Sequence, residues 1–322
     1  MMQSNGLEGE ARAFDSQIEE RIAHGHIPDL RRAVPCDYFY NNPWRHPEYV
    51  KLDFGQIFER LDAAIRKYGP QTGRAHILEI GCGPGFMSLE LARAGHDVVG
   101  VDISPKVIEI ANKVASEDPW KSERGPLEYK ITDFLASDDL IRGSFDAVVT
   151  VGALHHFPDQ GGVGRRVREL LRPDGIFVVQ EPTRDRSTLG LAAFVHAVRL
   201  LLSTGGGFFE KLAIPSERDH LNDEIASMFK KLRYESEDGS KLQSPNDNEA
   251  GYTEMFAMIS GMFDVLVFKD TSAFFHELIG GLRFDGPTNI ALARYLRDLD
   301  EILVQEKILP ATEFFLVGKN RA

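Results

Sequence analysis

The feature that most limits what this chain can fold into lies between Ala75 and Glu181, where short β-branched runs alternate with helical patterns. That alternation is how a parallel sheet with crossover helices reads in sequence. The first strand is His76 to Ile80, closed by the turn Gly81-Cys82-Gly83-Pro84-Gly85, and a helix starts about Phe86 and stops at Gly95. The second strand runs His96 to Asp102. Ser104 then stands as an N-cap, with Pro105 at the first helical position and Val107, Ile108, Ala111 and Val114 on one face. Leu127 to Thr132, Phe145 to Val151 and Gly175 to Gln180 are strands three to five, and the amphipathic stretch Val163 to Leu171 crosses between the last two. No internal repeat is visible.

Composition bounds the rest. With 322 residues, 43% of them hydrophobic, the chain can bury a sizeable core as one large domain or one plus an appendage, and disorder throughout is excluded. Lys and Arg total 37 against 49 Asp and Glu, a net charge of −12 that opposes tracking along a phosphate backbone. Nucleic acid is not an expected partner. The two cysteines, Cys36 and Cys82, form no CxxC or Cys/His cluster, so no metal site is expected and a reducing compartment fits. The N-terminal stretch has no apolar run long enough for a signal-peptide core, and no window reaches the ~18 apolar residues of a membrane span. A cytoplasmic location without membrane insertion is expected.

The block has flanks on both sides. Residues 1–70 read as a helical, aromatic cap in which Tyr38, Phe39, Tyr40, Trp44 and Tyr49 serve either helix packing or a lid. Residues 71–183 hold the core. Residues 184–262 read as a helical insertion, with helices about Ser187 to Ser203 and Pro215 to Leu232, followed by a polar run from Glu235 to Gly251 that reads as a mobile loop. Residues 263–322 supply two more strands, Phe263 to Lys269 and Thr312 to Gly318, separated by helices about Ser272 to Ile279 and Asn289 to Lys307. In the second of these, Leu292, Leu296, Leu299 and Leu303 make a stripe that suits a core face or a dimer seam, with Arg297 and Glu301 free to pair on the solvent side. A homodimer stays open on this reading.

The chemistry is carried by the glycine-rich turn. A Gly-x-Gly-x-Gly between strand and helix lets the backbone turn sharply and approach a ligand without interference from a Cβ. Asp102, at the end of the second strand, can accept both hydroxyls of a ribose, and together they indicate an adenosine cofactor. Two details favour S-adenosylmethionine over a nicotinamide dinucleotide: the sixth position of the run is Phe86 in place of Gly, and an acid, Glu79, precedes the loop. Asp133 and Phe134 offer a side-chain acceptor and a backbone donor suited to an adenine edge. Cys82 is a small residue in a tight turn, with no activating base in view.

On these residues the chain resembles the class I S-adenosylmethionine-dependent methyltransferases, in particular the small-molecule group similar to ubiquinone and menaquinone methyltransferases. The resemblance rests on Glu79-Ile80-Gly81-Cys82-Gly83-Pro84-Gly85, Val101-Asp102-Ile103-Ser104, Thr132-Asp133-Phe134, Phe145 to Val149 with Leu154-His155-His156-Phe157, and Leu171-Arg172-Pro173-Asp174-Gly175. It implies an α/β fold: a Rossmann-like, seven-stranded, mostly parallel sheet with helices on both faces, carrying N-terminal and C-terminal helical lid insertions. It also implies that Glu79, Gly81, Cys82, Gly83, Gly85, Asp102, Ile103, Asp133, Phe134 and Val151 bind S-adenosylmethionine. His155, His156 and Glu181, at the carboxyl edge of the sheet, are the catalytic candidates facing a small-molecule acceptor. The expected reaction is methyl transfer to an O or N atom of a small metabolite or glycoconjugate. A catalytically silent S-adenosylmethionine-binding scaffold and an NAD-dependent reductase are the alternatives.

Overall fold

All five strands read from Ala75 to Glu181 join one sheet in the computed structural model, which describes residues 15, 18–25, 27–36, 43–236, 241 and 247–321. They are β1 (His76–Ile80), β2 (Asp97–Asp102), β3 (Leu127–Ile131), β4 (Phe145–Val151) and β5 (Leu171–Pro182), and the late strands β6 (Phe263–Thr271) and β7 (Glu313–Asn320) complete it. The order is β3-β2-β1-β4-β5-β7-β6, seven strands in all. The first five pair in parallel, and β7 runs antiparallel between β5 and β6. The sheet is therefore mostly parallel, as the alternation required. Strand order reverses between β1 and β4, which opens a crevice past their carboxyl ends, where open α/β sheets take ligands.

Side chains alternate along each strand and so feed two cores. Ile77, Val98, Ala147, Val149, Ile176 and Val178 face α1 (Gln56–Tyr68) and α2 (Phe86–Arg93). Leu78, Ile80, Val99, Val101, Val148, Phe177 and Val179 pack in the opposite core with α4 (Gln160–Leu170) and α7 (Tyr252–Met262). Between them in the chain, α3 (Pro105–Ser116) begins as its cap predicts: Ser104 Oγ accepts the Val107 N–H at 3.1 Å, and Pro105 needs no partner at the first position. On the first of these faces Arg93 is buried between Asp29, Glu90 and Asp118 at 2.8–2.9 Å, which ties residues 27–36 to α2.

A third core lies outside the sheet. It joins α5 (Leu189–Thr204), α6 (Arg218–Leu232) and α8 (Gly286–Gln305) around Phe274, Phe275, Leu278, Ile279 and Leu282. The leucine stripe of α8 packs into it, Leu296 buried and Leu292, Leu299 and Leu303 half-buried beside it, so the stripe contributes to the chain's own core. Arg297 is buried too. It donates to Gln56 Oε1 at 2.7 Å and Ser272 Oγ at 3.2 Å, while Glu301 pairs with Lys269, so the expected Arg297–Glu301 surface pair does not form.

The helix expected from Ser272 to Ile279 is replaced by two short 3-10 turns, Phe275–Glu277 and Ile279–Gly281. At the head of this stretch the buried Asp300 carboxylate accepts the backbone N–H groups of Ala273, Phe274 and Phe275 at 2.7–3.1 Å, satisfying donors that have no local partner. Of the N-terminal aromatics, Tyr38, Phe39 and Tyr40 lie outside the described residues. Tyr49 is 1% exposed in the third core and Trp44 Nε1 donates to Asp53, so both pack. Much of the polar run, 237–240 and 242–246, also lies outside the described residues. No helix among those described is long and apolar enough to cross a membrane.

Candidate functional site

The turn after β1 is built from three left-handed glycines, with φ of +65° at Gly81, +52° at Gly83 and +76° at Gly85. Each has a different reason to lack a side chain. A Cβ on Gly81 would stand 2.5 Å from Ala153 Cβ in the loop after β4, and one on Gly85 would meet the Tyr129 ring, whose hydroxyl donates to Gly85 O at 2.8 Å. A Cβ on Gly83 would meet nothing within 4 Å. Two glycines thus fit the turn against protein, and the middle one faces open space.

Asp102 closes the loop from β2. Its Oδ2 accepts the Gly83 N–H and its Oδ1 the Ser104 N–H, both at 3.0 Å. Each oxygen keeps a further lone pair for an outside donor. Burial raises the Asp102 carboxyl above its ordinary value, against the pull of those backbone donors. Beside it, Ser104 Oγ donates to Asp15 Oδ1 at 2.5 Å, which brings the N-terminal region to the edge of the site. Ile103 and Val151 are half-buried at the ends of β2 and β4.

Glu79 lies beneath the turn, buried, with Ser88 Oγ donating to Oε2. Burial pushes its carboxyl up to about 8. Burial likewise holds the Cys82 thiol well above its usual value, so this cysteine stays a thiol at neutral pH. Its N–H is spent on Val101 O at 3.0 Å. Past β3, Phe134 is buried edge-on to Phe157, whereas Asp133 is exposed and its Oδ1 caps the next turn by accepting the Leu135 N–H at 3.1 Å.

The catalytic candidates are drawn together at the carboxyl ends of β4 and β5. Glu181 is fully buried and faces the loop, not an open acceptor space: Oε1 accepts the Ala153 and Leu154 N–H groups at 2.9 Å, and Oε2 lies 2.8 Å from His155 Nδ1. The place expected for it beside an acceptor is thereby corrected to one under the loop. The other ring nitrogen of His155 points to Asp247 Oδ1 at 3.5 Å, and Arg184 donates to that same oxygen at 2.8 Å. Burial works against a charged His155, but the Asp247 and Glu181 carboxylates outweigh it and raise the imidazole above its ordinary value. Burial opposes the ionised Glu181 and Asp247 as well, but the adjacent His155 imidazole brings both below the usual carboxylate range, with Arg184 adding to the effect at Asp247. The half-buried His156 packs against His155, the two rings tilted by 39° with centroids 4.1 Å apart.

Sequence reasoning missed Asp247, Arg184, Ser88 and Tyr129. Asp247 sat inside a polar run with no periodicity to single it out. Tyr129 had one faint signal, Gly100 opposite it on β2, where a Cβ would come within 2.8 Å of its ring.

The arrangement offers a glycine turn open toward a ligand, a ribose-type acid held against it, and a pair of imidazoles at the neighbouring strand end. The family described as "Methyltransferase domain" matches residues 78–179. The ubiquinone biosynthesis O-methyltransferase of Actinobacillus pleuropneumoniae serotype 5b (strain L20) is 29% identical over 163 residues, 49% of this chain and 67% of that protein. The protein of the same name from Xanthomonas oryzae pv. oryzae (strain PXO99A) is 28% identical over 171 residues, 52% of this chain and 64% of that protein. The matched segment therefore spans about two thirds of each relative's length. A solved methyltransferase structure from Methanosarcina mazei covers 80% of this chain and 96% of its own at 18% identity, with a TM-score of 0.47.

Proposed function

We propose, with the chain's membership of the class I S-adenosylmethionine-dependent methyltransferases as the premise, that it moves the sulfonium methyl group to an oxygen or nitrogen of a small metabolite or glycoconjugate. The observation that carries this reading is Gly83: its missing side chain points into open space while its N–H holds Asp102. That geometry suits a nucleoside lying across the turn with its ribose on Asp102, its methionine end along Gly81, Cys82, Gly83 and Gly85 above Glu79, and its adenine near Asp133, Phe134, Ile103 and Val151.

Displacement at a sulfonium carbon is in-line, so the protein's task is to align the acceptor lone pair with the S–CH3 bond and exclude water. His155 and His156 are the groups at the β4 end with chemistry to offer a hydroxyl acceptor. Glu181 positions them through the loop backbone. The division into cap (1–70), core (71–183), insertion (184–262) and terminal strands (263–322) goes with this reading, the insertion and cap closing over the acceptor. So do a cytoplasmic location and independence of nucleic acid.

The test is transfer of labelled methyl groups from S-adenosylmethionine into a metabolite extract, followed by mass analysis of the product. Appearance of one labelled small molecule is expected. Cofactor binding without transfer would leave the silent scaffold, and calorimetric binding of NADH with none of S-adenosylmethionine would replace the reading with the reductase.

A further inference from the structure

We infer that His155, His156 and Asp247 form a binding site for a divalent transition-metal cation at the carboxyl end of β4. Among the described residues these three side chains alone bring His, Cys, Asp or Glu ligand atoms together as a metal-sized group of three, all within 4.8 Å of one another. Asp247 and His155 are essentially excluded from solvent, at 0% and 2% exposure.

Three details distinguish a ligand set from a chance gathering of polar groups. First, His155 is already oriented as a ligand: Nδ1 is held by the Glu181 carboxylate at 2.8 Å, which leaves Nε2 turned toward Asp247. A carboxylate on the far nitrogen is the usual partner of a metal-binding imidazole. Second, among the described residues neither His155 Nε2 nor Asp247 Oδ2 has a hydrogen-bond partner, though both are buried. Orphaned buried polar atoms are costly, and two of them in one cluster of ligand-type side chains point to a missing partner. Third, the separation of His155 Nε2 from Asp247 Oδ1 is 3.5 Å. A charge-assisted N–H···O bond would draw them to about 2.7–2.9 Å. Two ligands of a four-coordinate ion with bonds near 2.0–2.1 Å stand about 3.4 Å apart.

Arg184 also reaches Asp247 Oδ1 at 2.8 Å, which takes one lone pair of that oxygen and leaves its other lone pair, and Oδ2, for a cation. Two imidazoles and one carboxylate suit zinc, iron(II) or cobalt(II) better than magnesium, which prefers oxygen ligands throughout. Three protein ligands leave a coordination position open.

The metal site stands on its own geometry; its role rests on the methyltransferase reading. With a hydroxyl acceptor, the open position takes the acceptor oxygen and the O–H proton leaves to solvent. The metal-bound oxygen then uses a lone pair to form the O–CH3 bond while the C–S bond breaks, its electron pair returning sulfur to a neutral thioether. No redox change is involved, and the histidines act as ligands in this scheme.

The test takes the full chain, strips it with a chelator and titrates it with cobalt(II) alone. One cobalt per chain is expected, with a visible ligand-field band of four-coordinate intensity. Asp247→Asn and His156→Ala should weaken uptake by more than about 100-fold, while His220→Ala, an exposed histidine beside Glu224, should not change it. Retained S-adenosylmethionine binding shows that each variant is folded. Should either fail to fold, X-ray absorption of cobalt on the wild-type protein counts the imidazole ligands, two expected. No cobalt uptake, uptake unchanged in folded Asp247→Asn, or a cobalt spectrum without imidazole overturns the site. Cobalt uptake without methyl transfer leaves the site and removes the transferase reading. Methyl transfer undiminished in stripped protein that takes up no cobalt does the reverse.

Discussion

Asp102 Oδ2 accepts the N–H of Gly83 at 3.0 Å, so the acid at the end of β2 and the turn at the end of β1 are a single unit. The acid is positioned by the backbone it will share with a ligand, and the turn is held open by that acid. Both consequences can be measured.

Asp102→Ala should weaken S-adenosylmethionine binding by roughly 1.5–3 kcal/mol, the range for losing charge-assisted hydrogen bonds. Because the Gly83 and Ser104 N–H groups also lose their acceptor, the turn after β1 should exchange its amide hydrogens faster than in the wild type. Calorimetry and hydrogen exchange read the two effects; unchanged affinity would remove Asp102 from the ribose role.

Gly83→Val should abolish cofactor binding in a protein that still folds. The new Cβ meets no protein atom within 4 Å beyond its chain neighbours, so the side chain extends into the space where the ligand approaches, although a φ of +52° adds local strain. A titration showing retained binding, with circular dichroism unchanged, would move the donor site elsewhere.

Glu79 gives a pH dependence whose sign is fixed by its shift. Its folded carboxyl titrates at about 8, above its ordinary 4.5, so ionisation is resisted in the folded state and wild-type stability falls as pH rises between those values. Glu79→Gln lacks that loss and should overtake the wild type in thermal melts toward pH 8. A cationic cofactor favours the ionised acid, so wild-type affinity for S-adenosylmethionine should climb across the same window while the Gln variant stays flat. Parallel curves for the two proteins would contradict both statements.

His276 joins the cap to the sheet, 3.0 Å from Asp53 Oδ1 on one side and from Glu313 Oε1 on the other, with Arg60 and Arg297 close by. Despite the cost of burial, the two carboxylates raise it well above 6.5, and it helps to hold both of them below their ordinary values. The imidazolium's contribution is full below pH 6.5 and is lost as pH rises through its folded value; the carboxylates' contribution is lost as pH falls into their range. His276→Gln should therefore destabilise by roughly 3 kcal/mol at neutral pH, the lower end of the cost of breaking a buried pair, since the histidine side chain is 29% exposed. The deficit should shrink on acidification, as Asp53 and Glu313 take up protons. A deficit independent of pH would mean that the ring is there for packing alone.

What the sequence determined by itself was the local grammar of the core. The strands from His76 to Gln180, the glycine turn, the Ser104-Pro105 start of α3 and the position of Asp102 follow from side-chain period, left-handed backbone and capping chemistry, all written within a few neighbouring residues. Tertiary structure decided what depends on distant segments meeting. The expected Ser272–Ile279 helix forms as two 3-10 turns, and the N–H groups at its head are taken by Asp300 from a distant helix. The α8 leucines find a core built from α5 and α6 inside the same chain. Glu181 turns beneath the loop it was expected to stand beside, and Asp247 leaves a featureless polar run to face His155. Such contacts carry no periodic signal, because a buried charge is placed by whichever partner the packing brings within about 4 Å of it, and its own neighbours in sequence do not specify that partner.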